Sequence, residues 1–110
     1  MKNFLVIYYA PAEAKEMSAQ ATPEQLAEGM KPWFAWKEKI DSHIVDFGSP
    51  NSRAEEQVGD GSWSTSSKEV SGYSILKAES FEAAKSLVQN HHHLTWAAGC
   101  SVGLYECATM

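Results

Sequence analysis

A chain of 110 residues is expected to form one domain, and a domain of that size hides roughly two thirds of the surface its unfolded chain would expose. Apolar residues make up 44% and charged residues 21%, a balance that excludes a disordered tail. The net charge of −5, without any run of Lys and Arg, excludes non-specific binding to nucleic acid or anionic membrane, because both need clustered cations.

Phe4 to Tyr9 is a continuous apolar run with β-branched Val6 and Ile7, which reads as a strand buried on both faces. It is too short to cross a membrane and is followed by no small-residue cleavage pattern. Ala12 to Ala21 has no clear period and reads as a connecting loop with at most a helical turn. Thr22 then opens a helix, with Pro23 at the first helical position and Gln25 completing a capping box. Leu26, Met30, Trp33 and Ile40 share one stripe of the helical wheel and form its core face. Phe34 and Trp36 flank that stripe. Lys37 falls inside it, which requires a buried stem and an ammonium reaching water. Pro32 removes a backbone donor and is a place for a kink, with helix on both sides, ending near Ser42.

Ile44, Val45 and Phe47 form a second strand, closed by Gly48 and Pro50. Asn51 to Ser67 is rich in Ser, Gly, Glu and Asp and reads as a lid or a loose hairpin. Asp60-Gly61 is a type I′ turn pair that would mark its tip. Trp63 is the large aromatic of this segment, expected to fold back on the core or to meet a ligand. Val70 to Lys77 is the third strand, where Gly72 marks a bulge or the close approach of another backbone. Ser80 caps a second helix, with Glu82 in its first turn and Phe81, Ala84, Leu87 and Val88 on its apolar face. Three histidines, His91, His92 and His93, follow where the chain leaves that helix. Val102 to Cys107 is the fourth strand, with Val102 and Leu104 on one face and Gly103, Tyr105 and Cys107 on the other.

The order strand, helix, strand, strand, helix, strand gives an α+β, ferredoxin-like βαββαβ fold: a four-stranded antiparallel sheet with two helices on one face. The other face also carries apolar groups, so a homodimer with the sheets packed face to face is expected. Cys100 and Cys107 lie near the two ends of the fourth strand, roughly 23 Å apart at about 3.3 Å per residue, too far for a disulfide. They read as reduced thiols of a cytoplasmic protein.

Asp60-Gly61-Ser62-Trp63, Ser67-Lys68-Glu69, Gly72-Tyr73-Ser74-Ile75 with Ala78-Glu79-Ser80, and His91-His92-His93-Leu94 together resemble the YCII-related family, whose DGPF members are bacterial proteins of the dimeric α+β barrel fold. Val102 to Glu106 is similar to the family's closing strand. The resemblance implies one domain over residues 1–110 and allows lyase, isomerase or cyclase chemistry on a small organic molecule. Ser62-Trp63 replaces the family's Pro-Phe. A His that some members carry between the first strand and first helix, proposed as half of a His-Asp pair, has no counterpart in Ala10 to Ala21.

Imidazole titrates near neutrality, so His91 and His93 are candidate general bases, with Asp46 as acid partner and His43 as a second candidate. If the chain is extended there, His91 and His93 point the same way. A plainer reading assigns the histidines to the helix dipole at a C-terminus. Zinc or copper held by the histidines with Cys100 or Asp46 is a further option, although no Cys-x-x-Cys or His-x-x-x-His spacing occurs; no cofactor and no specific metal ligand is expected. Tyr8, Tyr73 and Tyr105 are expected to line a cleft between sheet and helices. Trp33 is expected on the sheet, leaving Trp36, with Tyr8, Tyr73 and Trp63, to contact a ligand. A binding or accessory module without turnover is the alternative to an enzyme.

Overall fold

The computed structural model describes residues 1–110. Four strands, β1 (Lys2–Tyr9), β2 (Ile44–Pro50), β5 (Val70–Ala78) and β6 (Ser101–Glu106), form one antiparallel sheet in the order β2-β5-β1-β6. This is the expected ferredoxin-like order. Three helices accompany it: α1 (Ala12–Ala19), α2 (Pro23–Lys39) and α3 (Phe81–Val88). The extra helix, α1, occupies the stretch expected to be a loop. Its apolar pattern is too weak to announce it, since only Ala14 is buried. No helix is long and apolar enough to cross a membrane.

The helix starts follow their sequence signals. Thr22 Oγ1 accepts from Gln25 N at 3.1 Å while Thr22 N donates to Gln25 Oε1 at 2.9 Å, so two donors that the first turn cannot satisfy internally are paired. Ser80 Oγ accepts from Ala83 N at 3.1 Å. α2 runs unbroken through Pro32; the carbonyl that Pro32 leaves without a donor belongs to exposed Glu28, where water can satisfy it.

Inward-facing side chains alternate along the strands. Phe4, Val6 and Tyr8 of β1 and Ser74, Leu76 and Ala78 of β5 are buried beneath the helices, with Val102 and Leu104 of β6 packed beside them. The expectation that β1 is buried on both faces holds for one only: Leu5, Ile7 and Tyr9 remain half-buried because nothing within the chain covers that side. Gly72 meets both expectations. Ser71 is skipped in the β1–β5 register, and a Cβ on Gly72 would stand 2.9 Å from Ser49 O.

Gly48 is the tighter constraint. It sits at φ +81° within the register shift of β2 between Asp46 and Ser49, and a Cβ there would collide with the Tyr73 backbone carbonyl. Gly48→Ala is therefore expected to lose about 2 kcal/mol or more, measured as a drop in the urea midpoint without a change in slope.

The segment between β2 and β5 forms a hairpin, β3 (Glu55–Gln57) with β4 (Trp63–Thr65). Asp60-Gly61 lies at its tip, but the turn is not type I′. Only Gly61 has positive φ, at +89°. Gly61 N donates to Val58 O and Val58 N to Ser62 O, the pattern of a longer loop ending in a left-handed glycine. Ser62 fixes it by donating both N–H and Oγ–H to Asp60 Oδ1, at 2.9 and 2.7 Å.

Candidate functional site

α2 meets the sheet through its C-terminal half. Pro23 to Gly29 is exposed throughout, and Leu26 keeps 49% of its surface. The buried face is consequently rotated toward Trp36. This reverses the expected roles of the two tryptophans. Trp36 is buried and donates its indole N–H to Leu87 O at 2.9 Å, a last-turn carbonyl of α3 that has no partner within the helix. Trp33 is half-buried and stands edge-on over Tyr8, with centroids 4.7 Å apart. The wheel misled because it weighted Leu26, in the part of α2 with nothing beneath it. Lys37 behaves as expected, with its stem half-buried and its ammonium 5.2 Å from the Phe47 ring centre.

The histidines arrive by a sharp exit from α3. Asn90 takes the left-handed conformation, φ 54°, which Asn tolerates better than most residues. His91 then caps a short 3-10 turn, His92–Thr95, its Nδ1 accepting from His93 N at 3.0 Å. The chain between His91 and His93 is thus coiled, not extended, yet both rings are buried to 3% exposure. His93 Nε2 bonds Tyr9 O at 2.8 Å; a carbonyl only accepts, so Nε2 carries the proton and Nδ1 the lone pair.

An aromatic box results. Tyr8 lies 5.1 Å from His91 and 5.4 Å from His93, Trp36 4.7 Å from His91, and Trp33 4.4 Å from His92, centre to centre. Phe47 closes one wall beside Trp33, at 6.4 Å. Under the box Tyr8 OH donates to Ser74 Oγ at 2.9 Å, and Ser74 Oγ to Phe47 O at 2.6 Å. Burial pushes the Tyr8 phenol up to about 12, so it stays a neutral donor. Ser74, which ties β1, β2 and β5 together at the floor, was not identified from sequence; the inward phase of β5 was the available signal.

Two ring nitrogens in the box, His91 Nε2 and His92 Nε2, are buried with no hydrogen-bond partner. Burial, with the neighbouring His92 and His93, lowers the His91 pKa to about 3; burial and His93 lower that of His92. Histidines held neutral in this way do not serve a helix dipole as cations. Nor is His91 placed as a base, since its one lone pair is engaged by His93 N–H.

Tyr8, Trp36, His91 and His93 are brought together. Asp46, Tyr73 and Trp63 are not. Tyr73 points to the other face of the sheet and donates to Asp46 Oδ2 at 3.2 Å, so the sheet separates both from the histidines. Strand alternation explains Tyr73, which lies between inward Gly72 and Ser74; the shifted register of β2 around Asp46 could not be read in advance. Tyr105 is on that same face, its hydroxyl 2.5 Å from that of Tyr9. Trp63 is 62% exposed on the hairpin and does not fold back on the core. His43 Nδ1 is 3.0 Å from Lys77 O at the far end of β5.

No three side chains among His, Cys, Asp and Glu converge on a metal-sized point. Cys100 and Cys107 are free thiols, half-buried and exposed. Two surface depressions of about 280 and 200 Å³ lie elsewhere, one at Met1 to Asn3 and Glu106 to Thr109, the other between Ala10, Lys15 and Ser66 to Glu69.

Fold and site together define an α+β protein with a ferredoxin-like sheet and an aromatic, histidine-lined interior between sheet and α2. No protein-family model matches the chain, and no curated protein matches it. Among solved structures it is similar to 5-chloro-2-hydroxyhydroquinone dehydrochlorinase (TftG) from Burkholderia phenoliruptrix AC1100, in complex with 2,5-dihydroxybenzoquinone. That likeness has a TM-score of 0.51 and 18% identity, and covers 92% of this chain and 90% of the other.

Proposed function

We propose that this protein binds a small planar organic molecule in the aromatic box beneath α2 and works as a face-to-face dimer of the α+β barrel kind. The observation that carries the reading is the pair of orphaned imidazole nitrogens among Tyr8, Trp33 and Trp36. A polar atom buried without a partner costs about 1–3 kcal/mol, a cost that a ligand supplying the missing bond would offset. The similar dehydrochlorinase is bound to a small planar ring, and the YCII-related resemblance belongs to the same reading. The test is titration with small aromatic probes while following Trp emission. Quenching that disappears in Trp33→Leu supports the box; unchanged emission across the series sinks it.

A second reading, proton transfer of the lyase, isomerase or cyclase kind, is favoured by one observation. His93 commits Nε2–H to Tyr9 O and so leaves the lone pair on Nδ1. It passes the candidate base from His91 to His93. His93→Gln should then abolish turnover while the ligand is retained; turnover unaffected by this change leaves a binding module.

The dimer rests on the sheet's outer face, where Leu5, Ile7 and Ile75 are half-buried and Tyr73 and Tyr105 are 36% and 49% exposed. Contiguous apolar surface of this kind marks an association site. The protein is expected to sediment as a dimer at micromolar concentration and Ile7→Glu as a folded monomer. A monomeric wild type removes this part of the proposal.

A further inference from the structure

The geometry points to His91 as a specificity-determining hydrogen-bond donor that selects neutral, carbonyl-bearing planar ligands. This deepens the ligand-binding reading above and rests on it.

A neutral imidazole has one N–H and one lone pair, and the bond made by one nitrogen fixes the role of the other. His93 N–H points at His91 Nδ1 at 3.0 Å, so Nδ1 must hold the lone pair and Nε2 the proton. Nε2 is the atom with no protein partner. What the site lacks is therefore an acceptor. A metal ion, which needs a lone pair, is refused at this nitrogen.

The surroundings narrow the class further. His91 is 3% exposed, and the rings around it are Tyr8, Trp33, Trp36 and His92. None of these four rings carries an ammonium or guanidinium, the Lys37 ammonium lying over Phe47, the wall beside Trp33, and burial keeps His91 from supplying a positive charge. A carboxylate would lose its hydration without gaining a counter-charge, and an ammonium would in addition face a donor. A carbonyl oxygen on a flat ring satisfies Nε2–H while the ring stacks on indole. Entry requires Trp33 to move, and of the two indoles it is the half-buried one, on the helix whose preceding turns are exposed.

The test compares 1-indanone with indane, its counterpart lacking the carbonyl, and with benzoate. Binding is followed by Trp emission, and the His91 ring nitrogens by ¹⁵N NMR. We expect pyrrole-type Nε2 and pyridine-type Nδ1 signals in the free protein, a shift of the Nε2 signal on adding 1-indanone, at least tenfold tighter binding of 1-indanone than of indane, and none of benzoate. In His91→Phe the preference should fall below twofold, while His91→Gln, which keeps an acceptor for His93 N–H and a donor for the ligand, should retain part of it. Equal affinity for 1-indanone and indane would overturn the inference and leave the box standing, whereas binding of neither would remove both. A proton on Nδ1 in the free protein overturns the inference alone, and that measurement stands even if His91→Phe does not fold.

Discussion

Replacing Trp36 with alanine is expected to destabilise the protein by about 3–5 kcal/mol, the usual range for removing a buried Trp from a core. Two separable losses add up there. The indole is one of the five buried members of the main core, with Val6, Tyr8, Ile40 and Leu76, and its removal leaves a hole under α2. Its N–H also satisfies Leu87 O at the end of α3, so one side chain fastens two helices. Trp36→Phe separates the terms: it keeps most of the apolar contact and loses the bond, and should cost roughly 1–2 kcal/mol more than the small change in area. Urea denaturation of both variants is the measurement. A Trp36→Ala loss below about 1 kcal/mol would mean that α2 does not rest on this residue. Because whole domains are stable by only about 5–15 kcal/mol, Trp36→Ala should also expose the histidines to solvent and remove ligand-dependent Trp quenching.

The second large effect is on pH dependence. His91 binds a proton at about 3 in the folded protein and near 6.5 when unfolded. Between those values the unfolded chain holds more protons than the folded one. Stability therefore rises with pH through this window; the contribution of His91 is complete above about pH 6.5 and is lost as the pH falls toward 3. The loss approaches about 1.4 kcal/mol per pH unit for one such group, or on the order of 2–3 kcal/mol between pH 6.5 and 4.5. His92, lowered by its own burial and by His93, acts in the same direction. Any acidic protein weakens in acid as its carboxylates protonate, so the measurement is a difference. Urea midpoints at pH 7.5 and 4.5 should diverge markedly more in the wild type than in His91→Gln. Parallel losses in the two proteins would show that His91 titrates as an exposed histidine.

Local chemistry was legible in the sequence wherever a signal acts over a few residues. Thr22 with Gln25 and Ser80 with Ala83 form the bonds that their spacing promised, and Asp60-Gly61 marks the hairpin tip because only a residue such as Gly accepts φ +89° without cost. The turn type was misread because Asp60-Gly61 is compatible with two loops, and Ser62, donating twice to Asp60, favours the longer. α1 was missed because a helix whose one buried side chain is Ala14 has almost no pattern to show.

Caps, turn positions and inward–outward phase were determined by the sequence alone, since each follows from neighbours a few positions apart and from periods of 2.0 and 3.6 residues. Only the tertiary structure decided the membership of the site. Tyr8 and Ser74 bond across 66 positions and Trp36 and Leu87 across 51, while Asp46, a natural partner for a histidine on paper, lies beyond the sheet beside Tyr73. The physical reason is that a register shift in β2, the left-handed residue at Asn90 and the unsupported first half of α2 each re-aim side chains by contacts the local sequence does not encode. The orphaned imidazole nitrogens, on which the functional reading turns, exist only once that packing is complete.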